Sequence, residues 1–327
     1  MIIKKHEKTL AIEKLQALLR RLPTNHPRLS DVEDDLARRL AGVSGENSID
    51  YPLSFLPSEN HLIFHGLRLS HAPHFFQMDT VIVTRKFLLV IEVKNISGML
   101  YFDQDLHQLI RTRKDGVREI LPDPILQVKR QQFLFEGWLV RNHFHDIPVR
   151  PFVLISNPLT SISSNLEPSL LSQIVIHRDA LPDKVTRLSE EFFEKELSPP
   201  DLKRMIMLLQ KQHTPLDPAI LTKHKLSSGE LKAGVICPAC SYSPLPRVYG
   251  SWHCPRCSVK YKDAHVAALR DYALLIGTSI TNREARNFLK VESDDLVKRI
   301  LNSIGRKYEG ATKGRVYDLS HFRRGGE

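Results

Sequence analysis

The chain has 327 residues, 42% hydrophobic and 26% charged, which fits ordinary globular folding and excludes a disordered or disulfide-rich chain. The formal net charge is +10, and residues 230–327 hold 17 Lys/Arg against 10 Asp/Glu, so +7 of it lies in the last third. That asymmetry is the footprint of a polyanion-binding end, although a basic soluble surface would carry the same charge. No apolar run approaches the roughly 20 residues of a membrane span, and the charged start MIIKKHEK lacks a signal-peptide pattern, so the chain reads as cytoplasmic.

Apolar periodicity predicts helices over 5–22 and 27–42, separated by Pro23, Asn25 and Pro27. From about residue 60 the period shortens. HLIFHGLRL, FFQMDTVIV and KFLLVIEVK read as strands, QLIRTRK and VREIL as two more around an Asp115-Gly116 turn. A helix over 124–142 and buried strands at VRPFVLIS and QIVIH follow. This mixed order predicts an α/β domain around a mixed sheet. The expected domains are a helical extension (1–30), the α/β domain (31–213), a linker (214–232), a cysteine module (233–262) and a helical C-terminal module (263–327).

The segment richest in chemistry is Gln77-Met78-Asp79-Thr80 followed by Val90-Ile91-Glu92-Val93-Lys94-Asn95. A hairpin with its tip at Arg85-Lys86 sets Asp79 opposite Glu92, on one face of the sheet. Lys94, two residues on, points to the same face. Two neighbouring carboxylates repel, and a divalent cation such as Mg²⁺ or Mn²⁺ relieves that repulsion while leaving room for water and a phosphate. The combination suits phosphodiester hydrolysis, with Lys94 orienting or deprotonating water or neutralising charge. A surface hairpin with a cross-strand ion pair is the competing assignment, and Glu-x-Lys alone is very common.

The runs Gly45-Glu46, Phe76-Gln77-Met78-Asp79, Ile91-Glu92-Val93-Lys94-Asn95 with Gly98, and Gln127-Val128-Lys129-Arg130-Gln131 together resemble the nuclease-related domain (NERD) family. That family is similar to the PD-(D/E)xK nucleases, which include restriction-type and repair endonucleases. The resemblance covers roughly residues 31–180 and implies a restriction-endonuclease-like core. It also implies that Asp79 and Glu92 are metal ligands, Lys94 the catalytic lysine, Glu46 an additional acid near the metal and Gln127 a polar residue facing the site. On residue type alone, Glu46 could be a solvated helix-end acid and Gln127 a polar helix position. His71 and His74, like His143 and His145, have the spacing of exposed loop residues rather than of metal ligands.

Cys237-Pro-Ala-Cys240 and Cys254-Pro-Arg-Cys257 are separated by 13 residues and account for all four cysteines. Two such turns supply a tetrahedral structural Zn²⁺ site, a zinc ribbon, which holds together a segment too small for its own core. It would present Arg247, Trp252, His253, Arg256, Lys260 and Lys262 to phosphates and bases, unless it is only a structural clip. Thr281 with Glu284 forms a capping box, Ser293 starts a second helix, and a strand-like RVYDL follows. That order resembles a winged helix-turn-helix, with Lys298, Arg299, Arg306, Lys307, Lys313 and Arg315 available to phosphates; a small protein-interaction module is the competing assignment. The expected activity is a metal-dependent deoxyribonuclease. A DNA-binding regulatory or scaffolding protein with a nuclease-like fold, and a nuclease acting on RNA, are the alternatives.

Overall fold

The structure is a computed structural model and describes residues 1–192, 196–304, 307–311 and 314–323. The N-terminal segment holds strand β1 (Ile2–Lys4) and helices α1 (Leu10–Arg21) and α2 (Leu29–Asn47). Thr9 caps α1, its hydroxyl accepting from the Ile12 amide, so the helix starts later than the apolar period suggested. α2 runs five residues past the expected end, through Glu46. Next come α3 (Asp50–Leu53), β2 (Leu62–His71), β3 (His74–Val83), β4 (Leu88–Lys94), β5 (Met99–Asp103), β6 (Gln108–Thr112) and β7 (Arg118–Pro122). They are followed by α4 (Pro124–Arg141), β8 (Val149–Ile155), β9 (Ser161–Ser164), α5 (Pro168–Ile174), β10 (Val175–His177), α6 (Leu181–Glu191) and α7 (Pro199–Gln212).

A six-stranded mixed sheet of order β1-β2-β3-β4-β8-β10 organises this part, and β7-β6-β5-β9 make a second sheet. β4 lies between β3, antiparallel, and β8, parallel, and its residues from Leu88 to Ile91 are fully buried. Such two-sided burial explains why LLVI is continuous rather than alternating. One face of the large sheet packs on α4 and α7 through Val128, Phe135, Trp138, Met205 and Leu209. The other packs on α3 and α6 through Leu53, Leu181 and Val185.

Regular alternation fails at one level of this sheet. Along β2, Leu62 and Phe64 join the α4-side core, yet beyond Gly66 it is Leu67 and Leu69 that do so. β3 switches in the same way between Val81 and Met78. Residues 65 and 67 pair with 80 and 78, so Gly66 lies level with Asp79. Gly66 has φ +59, the left-handed region, and a Cβ there would meet nothing within 4 Å. Its requirement is therefore conformational, not spatial.

The chain divides into two compact units: Met1–Glu7 with Leu40–Pro215, and Lys8–Arg39 with Leu216–Glu327. One break, after Pro215, lies two residues from the boundary expected at 213; the other falls inside α2 rather than at 30. The reason is apolar. Leu15, Leu18, Leu22 and Val32 share a core with Ile220, Leu226 and Leu231, so the stretch expected as a linker is packed within the second unit.

The second unit continues with α8 (Ile220–Lys223), strands β11 (Arg247–Val248), β12 (Ser251–His253) and β13 (Lys260–Tyr261), and α9 (Ala264–Leu275). Then come β14 (Ser279–Thr281), α10 (Asn282–Leu289), α11 (Asp294–Ile304), β15 (Tyr308–Glu309) and β16 (Val316–Asp318). β11-β12-β13 form the antiparallel sheet of the cysteine module, and β14-β16-β15 a second antiparallel sheet. Helix, strand, two helices and two strands is the order of a winged helix; β14, only three residues long, left no signal in the sequence. The Thr281–Glu284 capping box is present. Arg21, 1% exposed, pairs with buried Asp271 at 2.8 Å and donates to the carbonyls of Lys232 and Gly234.

Gly66→Ala should destabilise the protein by about 1–2 kcal/mol, the cost of an L-residue in the left-handed region. Equilibrium urea unfolding measures it; an unchanged midpoint would show that β2 accommodates the side chain by adjusting its backbone.

Candidate active site

The ladder pairs Thr80 with Ile91 and Val83 with Leu88, so the hairpin is centred where the sequence placed it. Thr84 closes the tip, its hydroxyl donating to the Phe87 carbonyl at 2.7 Å and accepting from the Phe87 amide at 2.9 Å. The ladder ends at the Thr80–Ile91 pair, and Asp79 and Glu92 are the next residues on the two strands. There the Val93 amide donates to Asp79 Oδ2 at 2.9 Å. Glu92 is 4% exposed, while Asp79, Lys94, Glu46 and Gln127 are half-buried.

The buried Glu92 carboxylate is satisfied on both oxygens. Lys94 Nζ donates to Oε1 at 2.5 Å and Gln131 Nε2 to Oε2 at 2.8 Å. Lys94 Nζ also donates to Gln127 Oε1 at 3.0 Å. Gln127 and Gln131 are one helical turn apart on α4, whose start is fixed by Pro124 and by the Asp123 carboxylate accepting from the Ile125 amide. Gln127 thus meets the Lys94 ammonium. Gln131 was not singled out in the sequence as a site residue; its signal is the four-residue spacing from Gln127.

Glu46 reaches the site from the last turn of α2. Gly45 lets that turn close on the end of β4: a Cβ there would stand 2.5 Å from the Asn95 Cβ. Asn95 Nδ2 completes the anchor by donating to the Ala41 carbonyl at 2.9 Å. Glu46 therefore lies at the negative end of a helix dipole, next to other acids.

Electrostatics record the crowding. Burial, then repulsion from Glu92 and Glu46, pushes the Asp79 carboxyl well above the usual carboxylate range. Burial and Glu92 push Glu46 up to about 7, with Lys94 opposing. Asp79 and Glu92 suit Mg²⁺, which takes one or two carboxylates plus waters. Among the described residues, the groups of three or more His, Cys, Asp or Glu whose ligand atoms lie within 4.8 Å are the four cysteines and His6, Asp50 and His65. Glu46, Asp79 and Glu92 do not all close to that spacing together. His71 and His74, and His143 and His145, form no such group; His71 Nδ1 meets Arg141 Nη1 at 2.9 Å.

In the second unit the four sulfurs converge. Cys237 and Cys257 Sγ are 3.7 Å apart, Cys240 and Cys254 Sγ 3.4 Å. Thiolates about 2.3 Å from one tetrahedral ion stand about 3.8 Å apart. Backbone amides of Ala239 and Cys240 face the Cys237 sulfur, and those of Arg256 and Cys257 the Cys254 sulfur. The two turns are matched further on: Ser241 and Ser258 both take left-handed φ, 59° and 60°.

One expectation for this module is corrected. Trp252 is fully buried, its Nε1 donating to His265 Nδ1 at 3.0 Å, so it is core and cannot stack on a base. Arg247 lies over its ring. Arg256, Lys260 and Lys262 are exposed, as are Lys298, Arg299 and Lys307, and His253 and Arg315 are half-exposed. Arg306 and Lys313 lie outside the described residues. The fully exposed aromatic is Tyr249, which with Gly250 forms the two-residue turn between β11 and β12, both at positive φ.

Residues 41–156 match the model of the nuclease-related domain family. The matched segment contains Glu46, Asp79, Glu92, Lys94, Gln127 and Gln131. No curated protein matches the chain. The solved structure of protein VC1899 from Vibrio cholerae is similar over 56% of this chain and 50% of its own, at 13% identity and TM-score 0.25. So low a score carries no argument about the site. Among the described residues, no helix is long and apolar enough to cross a membrane.

The raised Glu46 value has a measurable sign. In Mg²⁺-free buffer the folded chain binds the Glu46 proton more tightly than the unfolded one, so its contribution is full below pH 4.5 and lost as pH rises through about 7. Glu46→Gln should flatten the fall in stability across that interval; identical pH profiles in urea unfolding would show that Glu46 is solvated.

Proposed function

We propose that the chain is a Mg²⁺- or Mn²⁺-dependent nuclease that hydrolyses phosphodiester bonds in DNA. The observation that supports this is that Asp79 and Glu92 directly follow the last β3–β4 pair while the Lys94 ammonium donates to Glu92. Two acids facing a polyanion would weaken a site built only for binding, which disfavours the non-catalytic reading.

Asp79 and Glu92 would hold the ion, which when bound lowers the pKa of water and offsets charge on a phosphate oxygen. Lys94, steered by Gln127, supplies a positive charge for the phosphorane-like transition state or orients the attacking water. Gln131 fixes the rotamer of Glu92. Glu46, the further acid that feels the Glu92 charge, would be the group to take a proton from water. In the second unit, Cys237, Cys240, Cys254 and Cys257 would hold a structural Zn²⁺. Arg256, Lys260, Lys262, Lys298, Arg299 and Lys307 would contact phosphates, and Tyr249 would offer a stacking surface.

With Mg²⁺ or Mn²⁺ and supercoiled plasmid, the wild type should cut, and Asp79→Ala should lose at least about 10²-fold in rate while retaining DNA binding. Equal DNA binding with no cutting by either protein would reduce the domain to a binding module, and preferential cutting of an RNA of the same sequence would change the substrate. Cys254→Ser should release about one zinc equivalent per chain and lower stability. Metal analysis finding an unchanged zinc content would remove that ion from the cysteines.

A further inference from the structure

A second set of metal-binding groups lies in the first unit, outside the carboxylate site. His6 follows β1, Asp50 opens α3, and His65 sits within β2. The three ligand atoms all lie within 4.8 Å of one another. His6 Nε2 is 3.1 Å and His65 Nε2 3.4 Å from the same atom, Asp50 Oδ1. We propose that His6, Asp50 and His65 bind one divalent transition-metal ion of the zinc class.

The donor set comes first. Two imidazole nitrogens and one carboxylate suit Zn²⁺ or Co²⁺, whereas Mg²⁺ asks for oxygen throughout. Ligands about 2.0–2.1 Å from a tetrahedral ion are about 3.3 Å apart, which matches both distances to Asp50.

The buried imidazole supplies independent support. His65 is fully buried, and its Nε2 has no hydrogen-bond partner although it faces a carboxylate oxygen. On the other side of the ring, Nδ1 is 3.0 Å from Thr80 Oγ1. If Nδ1 carries the proton and donates to Thr80, Nε2 presents a lone pair to Asp50, an arrangement that a cation resolves. A polar partner on the remote nitrogen is how ligating histidines are held in orientation. Burial, with the nearby His6 and Lys4, holds the His65 pKa at about 3, so the ring is neutral near physiological pH. Lys4, the nearest opposing charge, is paired with Glu7 at 3.5 Å.

The His6 and His65 rings are stacked, with centroids 3.7 Å apart and 21° between planes. Both lone pairs meet one ion only if a ring turns. His6 can supply that turn, since residues 5–9 have no regular secondary structure. The Asp50 side chain is 43% exposed, so water has access to complete the coordination. Bound there, the ion would fasten the three-residue edge strand β1 to β2 and to α3. It would also restrain the segment that carries Glu46, four residues before Asp50.

Metal content tests this independently of nuclease activity. Full-length protein equilibrated with Zn²⁺ in excess Mg²⁺, which fills the Asp79–Glu92 site, and then freed of unbound metal should hold about two zinc equivalents per chain. Cys254→Ser, His6→Ala and Asp50→Asn should each hold about one, with circular dichroism confirming that each variant is folded. His65→Ala removes a buried ring and is the variant most prone to unfold, so His6→Ala decides. With Co²⁺, Cys254→Ser should keep a visible ligand-field band without thiolate charge transfer, and His6→Ala should keep the thiolate band alone. If wild type and His6→Ala bind the same number of equivalents, the triad is a hydrogen-bonded cluster and the proposal fails.

Discussion

Mutual repulsion among carboxylates is the constraint around which the first unit is arranged. Asp79 and Glu92 are brought together by the β3–β4 register, and Glu46 is added from the end of a helix. Leaving like charges close together in a partly buried place costs free energy, which the surrounding chain offsets locally. Lys94 and Gln131 occupy the two oxygens of Glu92, and the Val93 amide holds Asp79. The surplus appears as raised proton affinity at Asp79 and Glu46. A site in this condition takes up a proton or a cation readily.

Precision in that arrangement comes from elements with little freedom. β4 is buried on both faces, the hairpin tip is locked by one threonine hydroxyl, and α4 begins at a fixed proline. At Gly66 the sheet changes which residues face α4, and it does so at the level of Asp79. A uniformly alternating β3 could not serve the apolar core on one side of this level and the acidic site at it.

Much of the first unit was legible because its signals are local. The hairpin register follows from counting about a centre, and strand periodicity gave β2, β3, β4 and β8 nearly to the residue. The cysteine turns were equally plain, since ligand spacing is written in the chain. Long-range packing was not legible. Nothing in the composition of 8–39 says that Leu15 and Leu18 share a core with Ile220 and Leu226. Trp252 was misassigned because an aromatic beside basic residues reads the same whether it faces solvent or core. Short strands such as β9 and β14 carry too few residues for a period to emerge. His6, Asp50 and His65 are separated by dozens of residues, and only the fold brings them together.

The division inside α2 bears on biosynthesis. Lys8–Arg39 is translated before nearly all of the sheet, yet its apolar partners at Ile220, Leu226 and Leu231 are translated only after it. Until then Leu15, Leu18, Leu22 and Val32 have no native cover, a state that attracts chaperones and proteases. A chain truncated near residue 214 would leave those side chains without their partners permanently.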